Sequence, residues 1–576
     1  MSIRLLLENF LGLMKEDGEL NEFLPMLLSG MGHKIIFYPD KGFREYGVDV
    51  VSVGRDVEDG VEKLFMWLIK CGNITRSGWN SENQSVKQSI DEVEAVFLTT
   101  HILPQHKSIA KKLVVLTNGE YRSGLRLTLA QYLETWGRRT GCDTEVVGGS
   151  TLASWTEQYL LDEHVLPAEH QALFRRILAN VANPELCVPV GRDLIRALFA
   201  GFNEQKSSAA ARMKARLTAF RATRTALSVI FQWAQTEGSL ESARQLSEFA
   251  ILESWVVLQP MLEDDGPRNA ALVAEFNAIL LHYLTVGVAY SRKISPYLLV
   301  ENSLGLVSGD SLVTTDLAFR EVGQAGLQGM MWAFLAAGGE GAFSDMATRA
   351  AVSCATAISN ALSTHQCTRS PAFDNHALDI HVALLCLMVA GKENVAVTWL
   401  SEIIRRLDLI SQYEANMRYW PMHADFSDTL EVRHNPDYPR EEFLSVSMLL
   451  PIIFLWCASL ELTQLYDVLS QRILPRIPST TLNMWSADES FDAAVNDPVS
   501  LHASGFSHTL AGIPPDTKEF IRLIRVSVPE IPSLESSSWY KARAPFIPLL
   551  AARHWRLQIP KQMLVEHILV FSKQTF

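Results

Sequence analysis

The apolar periodicity of this chain changes once, near residue 155, and that change limits the folds open to it more than any other feature. Before it, short β-rich runs alternate with helical ones, the pattern of an α/β domain. The spacing predicts a helix over about 20–31 and strands near 34–38, 47–53 and 64–70. It then predicts a helix around 85–100, a strand at 112–117, a helix at 125–137 and a strand at 144–147. After residue 155 apolar residues recur at three and four instead. Examples are Ala226, Leu227, Val229, Ile230 and Trp233, and Phe276, Leu280, Leu281, Tyr283 and Leu284. The reading is an α/β domain over 1–155 and a large all-α region over 156–576, an irregular helical stack with no fixed repeat. Further breaks are expected at 418–440, where three prolines in a stretch of little periodicity read as a long functional or domain-bridging loop, and at 475–518.

A chain of 576 residues exceeds one hydrophobic core, so more than one domain is expected. Hydrophobic content of 48% with 20% charged residues is that of a packed globular protein rather than a disordered one. The formal net charge of −13 argues against a uniformly basic coat but leaves room for a local basic face. Seven cysteines without a Cys-x-x-Cys pair suggest a reducing compartment and no zinc knuckle. Met1-Ser2-Ile3-Arg4 does not open a secretory signal. The apolar run Phe443–Leu460, interrupted by Pro451, reads as two buried helical pieces rather than a span. A cytoplasmic protein without membrane partners is expected.

Within the α/β part, Asp49 opens one β-rich run and Lys70 closes the next. In a hairpin that spacing brings a carboxylate and an ammonium to one end of a sheet. A carboxylate there can ligate a hard divalent cation, and a lysine can steady the charge of an attacked phosphate. The structural alternative is an ordinary charge pair at a sheet end.

The surrounding residues carry a resemblance. Asn21-Glu22-Phe23-Leu24-Pro25-Met26-Leu27-Leu28 forms a helix bearing a glutamate, and Gly32-His33-Lys34-Ile35-Ile36-Phe37 enters a first strand. Gly47-Val48-Asp49 and Leu68-Ile69-Lys70 follow, then Lys112 to Gly119 as the next strand. Glu145-Val146-Val147-Gly148-Gly149-Ser150-Thr151-Leu152-Ala153 ends the series as strand, turn and Leu-Ala helix. In this order the pieces resemble the PD-(D/E)XK nuclease superfamily, and within it the Mrr-like restriction endonuclease branch, over the first 155 residues. The resemblance implies a restriction-endonuclease-like fold, Mg²⁺ or Mn²⁺ as cofactor, Asp49 as metal ligand and Lys70 as catalytic lysine. One departure stands out: the family carries Glu or Gln two residues before the lysine, where this chain has Leu68, which cannot coordinate a cation. Either Glu22 or Glu45 takes over as second ligand, or the domain has lost cleavage and kept binding.

Lys206, Arg212, Lys214, Arg216, Arg221 and Arg224 lie in one helical stretch without acidic residues, a candidate phosphate contact or a solvated helix that meets acidic neighbours. His365, Cys367, Asp374, His376, Asp379 and His381 include metal-ligand types, but without converging zinc spacing they read as a helix cap at Asp374 and buried or surface histidines. His423, Asp425, Asp428 and His434, beside Tyr419 and Trp420, read as a hydrogen-bonded ordered loop, with a ligand pocket or partner-docking edge as the alternative. No phosphate-binding loop or nucleophile elbow is present. The expected function is a metal-dependent DNA endonuclease of prokaryotic antiviral defence or DNA processing. Its helical region would sense, or assemble with a partner protein or a second copy. The alternative is an inactive nuclease-fold scaffold that binds DNA or a protein.

Overall fold

The computed structural model describes residues 7–8, 11–12, 14, 20–37, 46–80, 85–159, 168–200, 208–262, 267–510, 512–525 and 537–564. The chain divides into two compact units, 1–243 and 244–576.

The first unit opens with helix α1 (Asn21–Gly30), which ends at a glycine turn before strand β1 (Lys34–Phe37). Strands β2 (Val50–Arg55) and β3 (Glu62–Lys70) complete an antiparallel meander. Short helix α2 (Arg76–Asn80) and α3 (Val86–Glu92) follow, and α3 widens into a π-helix over Val93–His101. The chain then crosses to β4 (Ala110–Thr117), parallel to β3, and through α4 (Ser123–Thr140) to β5 (Asp143–Val147), parallel to β4. Helix α5 (Gly149–Tyr159) closes the layer, and the sheet order is β1-β2-β3-β4-β5.

Burial explains this part. The central strand β3 is apolar from Leu64 to Ile69 because helices cover both faces. On one face Val51, Leu64, Met66, Leu68, Leu113 and Val115 meet Ile90, Val93, Phe97, Leu129, Leu133 and Trp136 from α3, its extension and α4. On the other, Trp67 meets Trp155 of α5 edge to face, with ring centroids 6.4 Å apart. Each helix and strand expected before residue 155 is present, displaced by at most a few residues. The strands of this sheet end with β5, while the compact unit continues through α6 (Ala168–Ala179), α7 (Pro184–Ala200) and α8 (Ala209–Thr236). Arg221 of α8 donates to Ser29 O at the end of α1.

The second unit is mainly helical: α9 (Glu241–Leu258), α10 (Pro267–Leu298), α11 (Ser311–Gly338), α12 (Gly341–Thr364), α13 (His376–Val389) and α14 (Glu393–Ser411). Two expectations need correction. The 418–440 stretch is not a long loop: it holds α15 (Phe426–His434), capped by Asp425, whose carboxylate accepts from Asp428 N. Nor is the region wholly α. After α15 come β6 (Val446–Ser447), α16 (Leu449–Ser459), β7 (Thr481–Ala487), α17 (Pro498–Ala503), β8 (Gly505–Thr509), α18 (Thr517–Arg525) and α19 (Phe546–Trp555). Strands β6, β7 and β8 pair in that order as a small sheet. Its strands are short and their partners distant in sequence, so helical periodicity on either side masked them.

The apolar run 443–460 contains α16, every residue of which is buried, as a core helix requires. Among the described residues one helix, over Asn269–Leu298, has the length and apolarity to cross a membrane. Its Leu272, Phe276, Ile279, Leu280, Tyr283 and Leu284 are all buried. All seven cysteines are free thiols.

Candidate functional site

Asp49 stands immediately before β2 and continues its pairing with β3. Its N–H donates to Trp67 O (2.8 Å), and one carboxylate oxygen accepts from Ile69 N (2.5 Å). The paired register ends at Val50 opposite Trp67, so Asp49 sits at the sheet end and is bonded to Trp67 and Ile69 of β3. Lys70 is two residues beyond Leu68 along β3, so alternation puts these two on one face, with Asp49 beside them at the same end of the sheet. Lys70 is half-buried and lies beside Thr117 of β4.

The segment leading to Asp49 is held close to α3. Gly47 has φ of +80°, and a Cβ there would sit 2.2 Å from Ser89 O, so a side chain would displace the turn. Tyr46 lies against His101, with ring centroids 4.7 Å apart. Beyond Lys70, Gly72 N donates to Asn118 Oδ1 (2.7 Å) and Thr117 Oγ1 to Gly72 O (2.6 Å). The loops after β3 and β4 are thereby fastened together beside this sheet end.

Leu68 is 1% exposed and belongs to the core between sheet and helices. Glu22 lies on α1, but its side chain falls outside the described residues, as does Glu45 entirely. Among the described residues, no group of three potential metal ligands includes Asp49.

The carboxylate groups that do converge lie at the opposite end of the sheet. Asp56, Glu58 and Glu145 form one group and Asp56, Asp59 and Asp143 another, their oxygens within 4.8 Å of one another. Such groups have the donor chemistry for a hard cation. Each is closed around a lysine. Lys112 Nζ lies 3.0, 2.9 and 2.8 Å from Asp56, Glu58 and Glu145. Lys63 Nζ lies 2.7, 2.5 and 2.7 Å from Asp56, Asp59 and Asp143. Burial would raise the Asp56 pKa, but hydrogen bonds from Lys63 and Lys112 outweigh it and hold it at about 2. The alternation of Lys112 with Val114, and of Asp143 with Glu145, is the only trace of this cluster in the sequence.

The basic residues of α8 do not form one exposed stripe. Arg212 and Lys214 are exposed, Arg216, Arg221 and Arg224 are half-buried, and Lys206 lies outside the described residues. Burial, then the nearby Arg212 charge, lower the Arg216 pKa.

The polar residues of 365–381 contact separate protein partners, and among the described residues no three potential metal ligands converge here. Asp374 accepts from Ser447 Oγ, Met448 N and Leu449 N (2.8, 2.7 and 3.1 Å), which serves the first N–H groups of α16. His376 accepts from Ala372 N at Nδ1 (3.3 Å) and meets Asp316 at Nε2 (3.1 Å); burial lowers its pKa. His381 Nδ1 accepts from Trp456 Nε1 (3.1 Å), and Asp379 binds Arg556 (2.8 Å). Of the 418–440 group, Asp428 accepts from Tyr438 and His434 bonds Leu430 O. No family model, curated protein or solved structure matches this chain.

Proposed function

We propose that the sheet-bearing part of the first unit is a restriction-endonuclease-like module acting on DNA phosphodiester bonds. The observation that supports it is that the Asp49 carboxylate accepts from Ile69 N and so stands beside Lys70 at one end of the sheet, two positions that the resemblance assigns to chemistry. The described donor set is small: a single carboxylate suits Mg²⁺ only because that ion keeps several waters and takes further ligands from phosphate. Asp49, with Glu22 or Glu45, would hold Mg²⁺ or Mn²⁺. When bound, the ion would withdraw charge from a phosphoryl oxygen. Lys70 would orient the attacking water and offset charge developing on the phosphate. The exposed Arg212 and Lys214 would add phosphate contacts. In this reading the protein belongs to prokaryotic antiviral defence or DNA processing in the cytoplasm, and its helical unit senses a signal or assembles with a partner protein or a second copy.

A second reading is favoured by Leu68. An aliphatic side chain built into the core gives the site one ligand fewer than the family uses, as in a nuclease fold that binds DNA without cutting it. Incubating plasmid and oligonucleotide DNA with Mg²⁺ or Mn²⁺ separates the two. Cleavage that falls about a hundredfold or more in both Asp49→Asn and Lys70→Ala supports the first. Metal-independent DNA binding without cleavage supports the second, and undiminished cleavage by Asp49→Asn rejects this site.

A further inference from the structure

The second unit contains a cavity of about 300 Å³ that neither reading uses. This volume is at the small end of the range for ligand pockets. Strand β7 contributes Asn483 and Trp485, successive residues on one face, and Ser507 of β8 pairs with Trp485 across the strands. Leu501 and His502 come from α17, and His423 from the segment before α15. Arg556 and Gln558 follow α19.

The polar lining is short of protein partners. Arg556 uses Nη2 for Asp379 Oδ2 (2.8 Å) and for the carbonyl and side chain of Asn375 (3.3 and 3.1 Å). Its Nε is buried without a hydrogen-bond partner, and no hydrogen bond within the described residues uses Nη1. Arg556 also has φ of +57°, a left-handed position where glycine is the usual choice, so an arginine here is costly to the backbone.

Charge favours an anion. Asp379 is shared between Arg556 and Arg553, whose Nε is 3.3 Å from Oδ1. Asp374 is taken up by the N-terminal groups of α16, and stands 3.8 Å from His423. That contact raises the His423 pKa despite its partial burial. The carboxylates nearest the cavity are therefore engaged, while Nη1 of Arg556 and the imidazole of His502 remain around it.

We propose that this cavity binds a small organic anion, its carboxylate or phosphate head held by Arg556 and its apolar body resting on Trp485 and Leu501. Asn483, Gln558 and His502 supply the remaining polar contacts. The forked guanidinium suits either head group.

Ligand-observed saturation-transfer NMR on the full chain, with benzoate, phenyl phosphate and benzyl alcohol as probes, tests this without DNA. At least one anion should bind saturably, about tenfold or more tighter than the neutral alcohol. Preference for benzoate or for phenyl phosphate distinguishes the two head groups. Arg556→Gln should weaken binding by a similar factor. Ser507→Trp should do the same by filling the cavity while leaving the Arg556–Asp379 pair intact, and decides the matter should Arg556→Gln fail to fold. Absence of binding by both anions at about 10 mM, equal binding of the alcohol, or unchanged binding in a folded Ser507→Trp protein would overturn the proposal.

Discussion

At the scale of single residues, Leu68 and Asp56 are the informative pair. Leu68 faces the helical layer at 1% exposure, between Trp67 and Ile69, the two residues to which Asp49 is bonded. A glutamate there would be desolvated, and the fold should lose roughly 3 kcal/mol or more unless a cation joins it. Leu68→Glu is therefore expected to melt lower than the wild type and to regain stability with Mg²⁺. The gain is about 2.7 kcal/mol at a hundredfold excess over Kd. Thermal melts with and without Mg²⁺ read this; equal shifts in both proteins would show that Asp49 and position 68 do not share an ion. Asp56 tests the opposite sheet end. Its folded pKa of about 2 is below the usual carboxylate value, so its contribution is present above about pH 4 and disappears as pH falls through about 2. Asp56→Asn should destabilise the protein by about 3 kcal/mol at neutral pH, and should weaken the dependence of stability on pH in that acid window. Denaturant midpoints at pH 7, 4 and 3 measure both effects, and parallel curves for variant and wild type would contradict the assignment.

At the scale of elements, helix α8 shows how burial restricts what a charged sequence can do. Ala219, Phe220, Ala222, Ala226, Leu227, Val229 and Ile230 are buried, so the helix is a packing element along its second half. Charge reversal at Arg216 or Arg221 would disturb that packing as well as any nucleic-acid contact. Arg212→Glu with Lys214→Glu is the cleaner experiment, since both side chains are exposed. If α8 contacts phosphates, the double variant should lower the slope of log affinity against log salt by roughly two units. An unchanged slope would assign these cations to solvent or to protein contacts. The other instructive element is the hairpin of β7 and β8. Its alternation was hidden among helical stretches, yet it supplies one wall of the cavity beside Arg556.

At the scale of the molecule, the strands of the first sheet end at Val147, whereas the first compact unit runs to residue 243. A fragment ending at 155 would lose the packing of α6 to α8 and the Arg221 contact to α1. It should therefore melt lower than a fragment ending at 243, by at least about 5 °C. Calorimetry of the two fragments checks this, and equal melting temperatures would make residues 156–243 a separate folding unit. The expected break near 155 marks a change in local periodicity, and periodicity reports which face of an element is buried without reporting against what.

Each element of the first sheet was legible because its side chains follow a local rule. The apolar run of β3 and the glycine turns before β1 and Asp49 depend on neighbours a few residues away. The hairpin spacing of Asp49 and Lys70 was legible for the same reason, since a meander turns sequence separation directly into register. The Asp56, Lys63 and Lys112 cluster was not, because its carboxylates come from β5 and from the segment between β2 and β3, and only the crossover through α4 brings them to one point. Nor was the surround of Arg556 legible: its acceptors lie on and just before α13, some 180 residues earlier in the chain. Within the first sheet the sequence determined which segments would be strands and helices, while the β6–β8 sheet and α15 escaped it. Tertiary structure decided which buried charges meet, because their pairing energy depends on distances that only the packing of remote segments sets.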